Sequence, residues 1–290
     1  MDERTSHFRA IDLAILILCA ACLVACLGMA GQHGRERAKR AVCLSNLRQL
    51  TRAWLAYADE NDGKIVSGSG GIYRASHGSL VEIPWVGAAW SQNWNNANVG
   101  DDGFTEEQKR QAIEKGALWP LVGEARVYAC PVRRPYEFVN YSIVDAMNGL
   151  HRSGTYVSQG GYPKDTGVRV GETTLWIKDI AEIETPPAGE RMVFVDEGAI
   201  TPDSYGMHYV LGPWWDDPPG RHNDGGTVSW ADGHASHWRW KGAETVERAR
   251  ATANWYGGGG FMPQTEEGLQ DLDEFRRAVW GRLGYEPTQP

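Results

Sequence analysis

A long apolar run dominates the N-terminal part of the chain. It extends from Ala10 to Gly31, and its one charged residue, Asp12, lies near its start. A helix needs about 20 apolar residues to cross a bilayer, whereas a helix on a soluble core carries polar residues at regular intervals. We therefore predict a transmembrane helix over residues 10–31, preceded by a short N-terminal segment, residues 1–9.

The next thirty residues mix apolar and polar positions at helical spacing. The apolar positions approximate the i, i+3, i+4, i+7 pattern, and they are Val42, Leu44, Leu47, Leu50, Trp54, Leu55 and Tyr57. Gly34 is the one helix breaker between Gln32 and Asp59, and Asn61-Asp62-Gly63 is a turn signal. The pattern predicts an amphipathic continuation over residues 32–62, which gives a single helix of roughly 50 residues.

The remainder, residues 63–290, has the pattern of a β-rich globular domain with extended loops. Two helices are expected in it: one over Thr105–Gly116, with Thr105 and Gln108 at capping-box spacing, and one over Thr265–Gly284 with an apolar face. Strands are expected over residues 173–180 and 191–197, the second continuously apolar and hence central. The fold class is therefore α+β.

Asp232-Gly233 lies between two further strand patterns and predicts a hairpin. A three-residue loop, Ala231 to Gly233, pairs Trp230 with His234 and gathers the apolar residues of both strands on one face. Because a single apolar face sets the register of a strand pair, we prefer this loop to a two-residue one. It exposes His237 and Arg239.

Charge and cysteine content narrow the classes of function. The net charge of −8 argues against a nucleic-acid partner. Cys43 and Cys130 are the two cysteines outside the apolar run, and they are either a disulfide or two separate thiols. Leu23 to Cys26 fits a lipoprotein box, so lipidation at Cys26 is an alternative way of processing the N-terminus.

Several segments together resemble the prepilin-type processing-associated proteins with an H-x(nine)-D-G signature, a pseudopilin-like family. The signature itself corresponds to His222, Asp232 and Gly233. Further similarity lies in the helix over residues 43–63, in "YACP" at 128–131, in "NYSIVDAMNG" at 140–149 and in the strand that ends at Asp196.

The resemblance implies a pilin-like fold, in which a long N-terminal membrane-spanning helix packs on an antiparallel sheet. It also implies prepilin processing, but His7 replaces the glycine before the cleavage point, and Asp12 replaces the fifth-position glutamate, while Phe8 is retained. Cleavage after His7 and methylation of Phe8 are therefore open. Asp12 remains a candidate for pairing with the amine of a neighbouring subunit.

Two arguments about topology disagree. Four basic residues follow the apolar run closely and only Arg4 and Arg9 precede it, which by charge alone puts the globular domain in the cytoplasm. The resemblance implies the opposite, an inner-membrane protein with its globular domain outside the cytoplasm. We follow the resemblance.

Three functions compete at this point. The first is a structural, non-enzymatic role in a pilus-related or secretion-related assembly, with the membrane and other pilin-like subunits as partners. The second is glycan binding through aromatic residues in two loops, Trp85, Trp90, Trp94, Trp214 and Trp215. The third is a metal-dependent enzyme or a structural divalent cation, zinc or calcium, at Asp196, His222, Asp232 and His234. The first is our main prediction; it requires no catalytic residues and no cofactor.

Overall fold

The computed structural model describes residues 10–71, 74–76, 80–87, 105–134, 137–149, 169–197, 204–209, 212–252 and 260–283. Within these ranges the side chains of residues 10–12, 20, 23–33, 74–76, 80, 81 and 252 lie outside the description. The fold is α+β: a long helix packs on a four-stranded antiparallel sheet.

The helices of the described residues are α1 (Ala10–Glu60), α2 (Glu106–Glu114), α3 (Trp119–Val122), α4 (Ala243–Thr252) and α5 (Glu266–Trp280). The strands are β1 (Ser67–Gly70), β2 (Arg74–Ser76), β3 (Leu80–Glu82), β4 (Pro84–Val86), β5 (Tyr141–Ile143), β6 (Arg169–Val170), β7 (Thr173–Thr174), β8 (Met192–Asp196), β9 (Gly225–Trp230) and β10 (Ala235–Arg239). The main sheet has the strand order β10-β9-β8-β5, and the other strands form three two-stranded pairs, β1-β4, β2-β3 and β6-β7.

The helix α1 is a single element, and it continues through Gly34 without a break. It ends before the predicted Asn61-Asp62-Gly63 turn, where Asp62 and Gly63 adopt positive φ angles of 54° and 86°. Among the described residues, no helix offers an apolar stretch of the length that a bilayer crossing requires. The side chains of residues 23–31, in the second half of the predicted span, lie outside the described part of the chain.

The second half of α1 is the part that packs on the globular domain. Leu47, Leu50 and Trp54 are fully buried, as the helical pattern predicts. Val42 is the exception, because its side chain is 49% exposed while the neighbouring Cys43 is buried. Asn46 and Thr51 are also buried there, so the packed face of the helix is more polar than the apolar pattern alone indicates.

The predicted hairpin and its register are confirmed. Ala235 pairs with Ser229 and Arg239 with Gly225, and the Trp230 amide donates to the His234 carbonyl at 3.0 Å. Gly233 closes the three-residue loop with φ of 94°, a left-handed conformation that glycine adopts without a steric penalty. The imidazole of His234 stacks on the Trp230 ring at 5.6 Å, as expected from this register.

Helices cover both faces of the sheet. On the tryptophan face, Phe275 of α5 contacts Trp238 at 5.3 Å and Trp240 at 5.5 Å between ring centroids. On the opposite face, Thr51 of α1 donates to Ser229 of β9. Helix α1 thus lies on the polar face of the hairpin, and α5 covers the apolar one.

This arrangement corrects the prediction for one hairpin side chain. His237 is half-buried rather than exposed, because α1 places the Arg40 guanidinium 3.4 Å from its Nδ1. Arg239 is exposed as predicted.

The prediction of a strand over residues 173–180 is wrong for most of its length. Only Thr173–Thr174 forms a strand, β7. The fully buried guanidinium of Arg191 donates hydrogen bonds to the carbonyl oxygens of Thr174 and Leu175, at 2.8 and 3.2 Å. These hydrogen bonds lie where the strand ends, and further along the segment Ile177 and Asp179 form only isolated bridges, to Met147 and Lys64.

The other local predictions hold. Thr105 and Gln108 form the expected capping box at the start of α2, and Thr265 caps α5, whose Leu272, Phe275 and Val279 are buried. The strand β8 is central, and all five of its residues are buried.

Candidate functional site

His222 and Asp232, the first two fixed residues of the H-x(nine)-D-G pattern, lie on opposite sides of β9 in the chain. His222 precedes this strand and Asp232 follows it. Six residues of extended chain separate its ends by about 20 Å. The structure therefore does not bring Asp196, His222, Asp232 and His234 together as one cation site, because β9 separates Asp232 and His234 from His222.

Asp232 and His234 serve the turn. The Asp232 carboxylate accepts the His234 amide at 3.0 Å and lies 2.6 Å from the His234 Nδ1. Partial burial opposes ionisation of Asp232, but the hydrogen bonds from His234 outweigh it and lower the pKa of the carboxyl group. Both side chains are exposed, so this pair stabilises the hairpin loop locally.

Asp196 and His222, the other two residues of the predicted site, lie beside two cysteines. Cys43, Cys130, Asp196 and His222, which we call the buried quartet, place one donor atom each so that all four lie within 4.8 Å of one another. None of the four residues is more than 1% exposed. Within the described residues, this is the one group of at least three His, Cys, Asp or Glu side chains with metal-site spacing.

Four separate parts of the chain supply the buried quartet. Cys43 comes from the buried face of α1, and Asp196 is the last residue of β8. Cys130 follows a short 3-10 turn, Ala125–Tyr128, and its amide donates to the Asn140 side chain at 3.1 Å. The strands and the long helix therefore bring together residues that are up to about 180 positions apart in the sequence.

The position of His222 is held through its backbone. Its amide donates to the Gly225 carbonyl at 3.1 Å, and its own carbonyl lies 2.6 Å from the His237 Nε2. Its ring presents Nε2 to the quartet, at 3.3 Å from the Cys130 Sγ and 3.6 Å from the Asp196 Oδ2. A third short separation joins the Asp196 Oδ2 to the Cys43 Sγ, at 3.4 Å.

Hydroxyl groups and one guanidinium surround the quartet. The Tyr141 hydroxyl donates to the Cys43 Sγ at 3.1 Å, and the Thr227 Oγ1 lies 2.8 Å from the same sulfur. The Arg221 Nε lies 3.5 Å from the Asp196 Oδ1, and Arg221 also bonds Glu137 at 2.9 Å. The buried Asp196 carboxylate and the buried Cys43 sulfur thus have polar neighbours outside the quartet.

The pKa values of Cys43 and Cys130 shift in opposite directions. Burial opposes ionisation of Cys43, but hydrogen bonds from Cys130 and His222 and the charge of His222 outweigh it and hold the pKa of Cys43 well below its usual value. The pKa of Cys130 is raised by the hydrogen bond to Cys43 and by burial. Burial, followed by the charge of Cys43, raises the pKa of Asp196 to about 7.

Cys43 and Cys130 form no disulfide in this structure, where both are free thiols. The sequence singled out this pair of cysteines for a disulfide and singled out Asp196 with His222 for a cation, but it contained no sign that the two pairs meet. Regular ligand spacing such as C-x-x-C would have revealed a local site. Donors from four distant segments leave no such spacing.

Two of the five tryptophans predicted for glycan stacking lie in the core. Trp85 and Trp214 are 1% and 0% exposed, so neither offers a ring face to a sugar. Trp85 stacks on Tyr128 at 5.8 Å. Trp215 is half-buried, and Trp90 and Trp94 lie outside the described residues.

The predicted processing positions are not described. His7 and Phe8 lie outside the described residues, as do the side chains of Asp12 and Cys26. Cleavage, methylation, pairing through Asp12 and lipidation at Cys26 remain predictions from the sequence.

Comparison of the chain with protein-family models, with curated proteins and with solved structures finds no match. The family resemblance of the sequence motifs therefore stays a prediction.

Proposed function

We propose that this protein is a membrane-anchored, pilin-like component of the cell envelope that acts by assembly rather than by catalysis. One observation carries the proposal: a single 51-residue helix packs on the sheet with its second half, while its first half exposes the large apolar side chains Leu13, Ile15, Leu16, Ile17 and Leu18.

Exposed apolar side chains on this scale favour a partner. Covering apolar surface stabilises by about 25 cal/mol per Å², and the described side chains between Leu13 and Cys22 are all exposed. Large contiguous apolar patches usually mark contact with a membrane or with another protein. Together with the sequence of residues 10–31, which has bilayer-crossing length, this supports lipid and neighbouring apolar helices as the partners.

The proposed location is the inner membrane, with the globular domain outside the cytoplasm. The basic stretch after the apolar run is the argument against this orientation. Two of its residues have partners within the protein: Lys39 pairs with Glu36 at 3.1 Å, and Arg40 lies against His237. Arg40 is half-buried there, whereas Arg35, Arg37 and Lys39 are exposed on the helix. The pilin-like motifs favour the proposed orientation.

Charging the apolar half should release the protein from the membrane. We expect the full-length chain to stay with bacterial membranes through alkaline carbonate extraction. The double variant Leu18→Arg with Ala21→Arg is expected to move to the soluble fraction, because each arginine near a bilayer centre costs roughly 2.5–3.5 kcal/mol or more. Both positions are exposed on α1.

A matched control also adds two arginines to α1, but in the half of the helix that packs on the sheet. Val42→Arg with Gln49→Arg places two arginines at exposed positions of the packed half, and this variant is expected to remain in the membrane. A soluble wild-type protein would contradict the proposal, as would equal retention of both double variants.

Lateral packing of the helices should be detectable through cysteines already present. Cys19 and Cys22 are exposed on the apolar half. If apolar helices pack side by side in the membrane, mild oxidation is expected to link two chains through these residues. The dimer should be measured on non-reducing gels.

The control for this cross-link is the variant in which Cys19, Cys22 and Cys26 are alanine, which should remain monomeric on the gel. The proposal of assembly would be contradicted if the wild-type protein stayed monomeric under oxidation although a small maleimide reacted with Cys19 and Cys22. The maleimide reaction shows that these two thiols are accessible. An intact mass on the same material distinguishes an uncut chain from cleavage after His7 and from lipidation at Cys26.

A further inference from the structure

Three of the six separations within the buried quartet match the edges of a metal-centred tetrahedron, and all six are within 4.8 Å. With zinc–sulfur bonds of about 2.3 Å and zinc–nitrogen or zinc–oxygen bonds of about 2.0–2.2 Å, neighbouring ligand atoms in a tetrahedron lie about 3.3–3.8 Å apart. The three separations described above, between Sγ, Nε2 and Oδ2 atoms, are 3.3, 3.4 and 3.6 Å. We propose that Cys43, Cys130, Asp196 and His222 bind one zinc ion.

The types of donor favour zinc over the common hard cations. Two sulfur atoms and one imidazole nitrogen suit a borderline-soft ion, whereas calcium and magnesium require several oxygen ligands. Only one of the four donors is a carboxylate. A calcium site, one of the two cations considered from the sequence, does not fit this set.

Charge balance also fits a divalent cation. When zinc binds, the two thiols release their protons to solvent and become thiolates. Two thiolates and the Asp196 carboxylate then carry three negative charges against the two positive charges of zinc. The guanidinium of Arg221 lies beside this excess negative charge, 3.5 Å from the Asp196 Oδ1, and it also pairs with Glu137 at 2.9 Å. Burying these anions together with no cation would be costly.

The surroundings resemble the outer shell of a metal site. Hydrogen bonds from neighbouring groups orient the side chains that bind a metal. The Cys43 Sγ receives the hydroxyl of Tyr141 and contacts that of Thr227, and the backbone of His222 is held by Gly225 and His237. The fold therefore positions the Cys43 sulfur and the His222 backbone before any ion binds, whereas the His222 Nδ1 and the Asp196 Oδ1 make no hydrogen bond to the described residues.

The proposed zinc is structural rather than catalytic. Four protein donors complete a tetrahedral shell, whereas catalytic zinc usually keeps one position for water. The burial of all four residues excludes a substrate as well. The ion would join α1 to the ends of β8 and β9 and to the segment after the 3-10 turn, and so fasten the long helix to the globular domain.

The test measures metal and thiols on the full-length protein in detergent. We expect one zinc per chain by elemental analysis of protein prepared without added chelator. Replacing the metal with cobalt(II) should produce the visible bands of tetrahedral coordination and thiolate-to-cobalt charge transfer, which a disulfide or a hydrogen-bonded thiol pair would not show. The cobalt spectrum needs no variant, so misfolding cannot obscure it.

Variants assign the ion to the quartet. Cys130→Ala and His222→Gln are each expected to weaken zinc binding about a hundredfold or more, since the loss of outer-shell partners alone costs roughly 10–100-fold. Two matched controls should keep one zinc: Cys19→Ala with Cys22→Ala, and Asp232→Asn with His234→Gln. The second control removes a histidine and an aspartate of the same hairpin.

Three results would overturn the proposal. One is wild-type protein that carries no zinc and gives no tetrahedral cobalt spectrum. Another is a Cys43–Cys130 disulfide found by peptide mapping under non-reducing conditions. The third is full zinc content in both Cys130→Ala and His222→Gln. Each is independent of membrane anchoring, so failure here leaves the extraction experiment unaffected, and the reverse also holds.

Discussion

Replacing Trp214 with alanine is expected to lower the free energy of unfolding by about 3–5 kcal/mol, the usual cost of truncating a buried aromatic side chain. Trp214 is fully buried. Its ring meets Trp240 at 5.5 Å and Phe275 at 5.2 Å between centroids, so its removal leaves a cavity between the hairpin and α5. Chemical denaturation of the full-length protein in detergent, followed by tryptophan fluorescence, measures the loss.

The neighbouring tryptophan is the matched control. Trp215 is half-buried and makes an edge contact with His208 at 5.2 Å, so Trp215→Ala should cost clearly less than Trp214→Ala. The interpretation of Trp214 as a core residue would be wrong if Trp214→Ala kept its stability but lost binding to a glycan. That result would support glycan stacking instead.

Replacing Gly225 with alanine should be the most damaging small substitution in the hairpin. An added Cβ would lie 1.9 Å from the carbonyl oxygen of Trp238 and 2.9 Å from its carbon, and both are backbone atoms of the paired strand β10. The strands can accommodate this only by separating. We expect a loss of about 3 kcal/mol, the upper part of the usual cost of overpacking.

This substitution should also disturb the buried quartet. The Gly225 carbonyl accepts the His222 amide, so a shift of Gly225 displaces the histidine, and zinc content should fall together with stability. Gly34→Ala is the control, because a Cβ there meets nothing within 4 Å. At a solvent-facing helical position it should stabilise by roughly 0.5–1 kcal/mol. Equal stability of the two alanine variants would contradict the packing argument.

Elements with a strong local pattern could be predicted from the sequence. The hairpin around Asp232-Gly233 has alternating strands, a turn dipeptide and one apolar face, and these three signals agree on a single register. The helix α5 likewise combines a cap at Thr265 with a continuous apolar stripe. In both cases the residues that determine the structure lie within a few positions of one another.

Predictions failed where a distant residue intervenes. The strand expected over residues 173–180 ends at Thr174, where the Arg191 guanidinium donates to the carbonyls of Thr174 and Leu175. His237 is half-buried because α1 covers the polar face of the sheet. Trp85 and Trp214 look like loop residues in the sequence, but tertiary packing buries them. Local pattern carries no information on these partners.

By itself, the sequence determined the long helix with its apolar N-terminal half, the α+β class and the register of the hairpin, because each depends on short-range periodicity and turn chemistry. Only the tertiary structure decided which pairs of residues share a site. It separated Asp232 and His234 from His222 by the length of β9, and it joined Asp196 and His222 to Cys43 and Cys130. The reason is that a donor set drawn from a helix, a strand end and two loops is defined by how these elements pack, and no spacing along the chain encodes that packing.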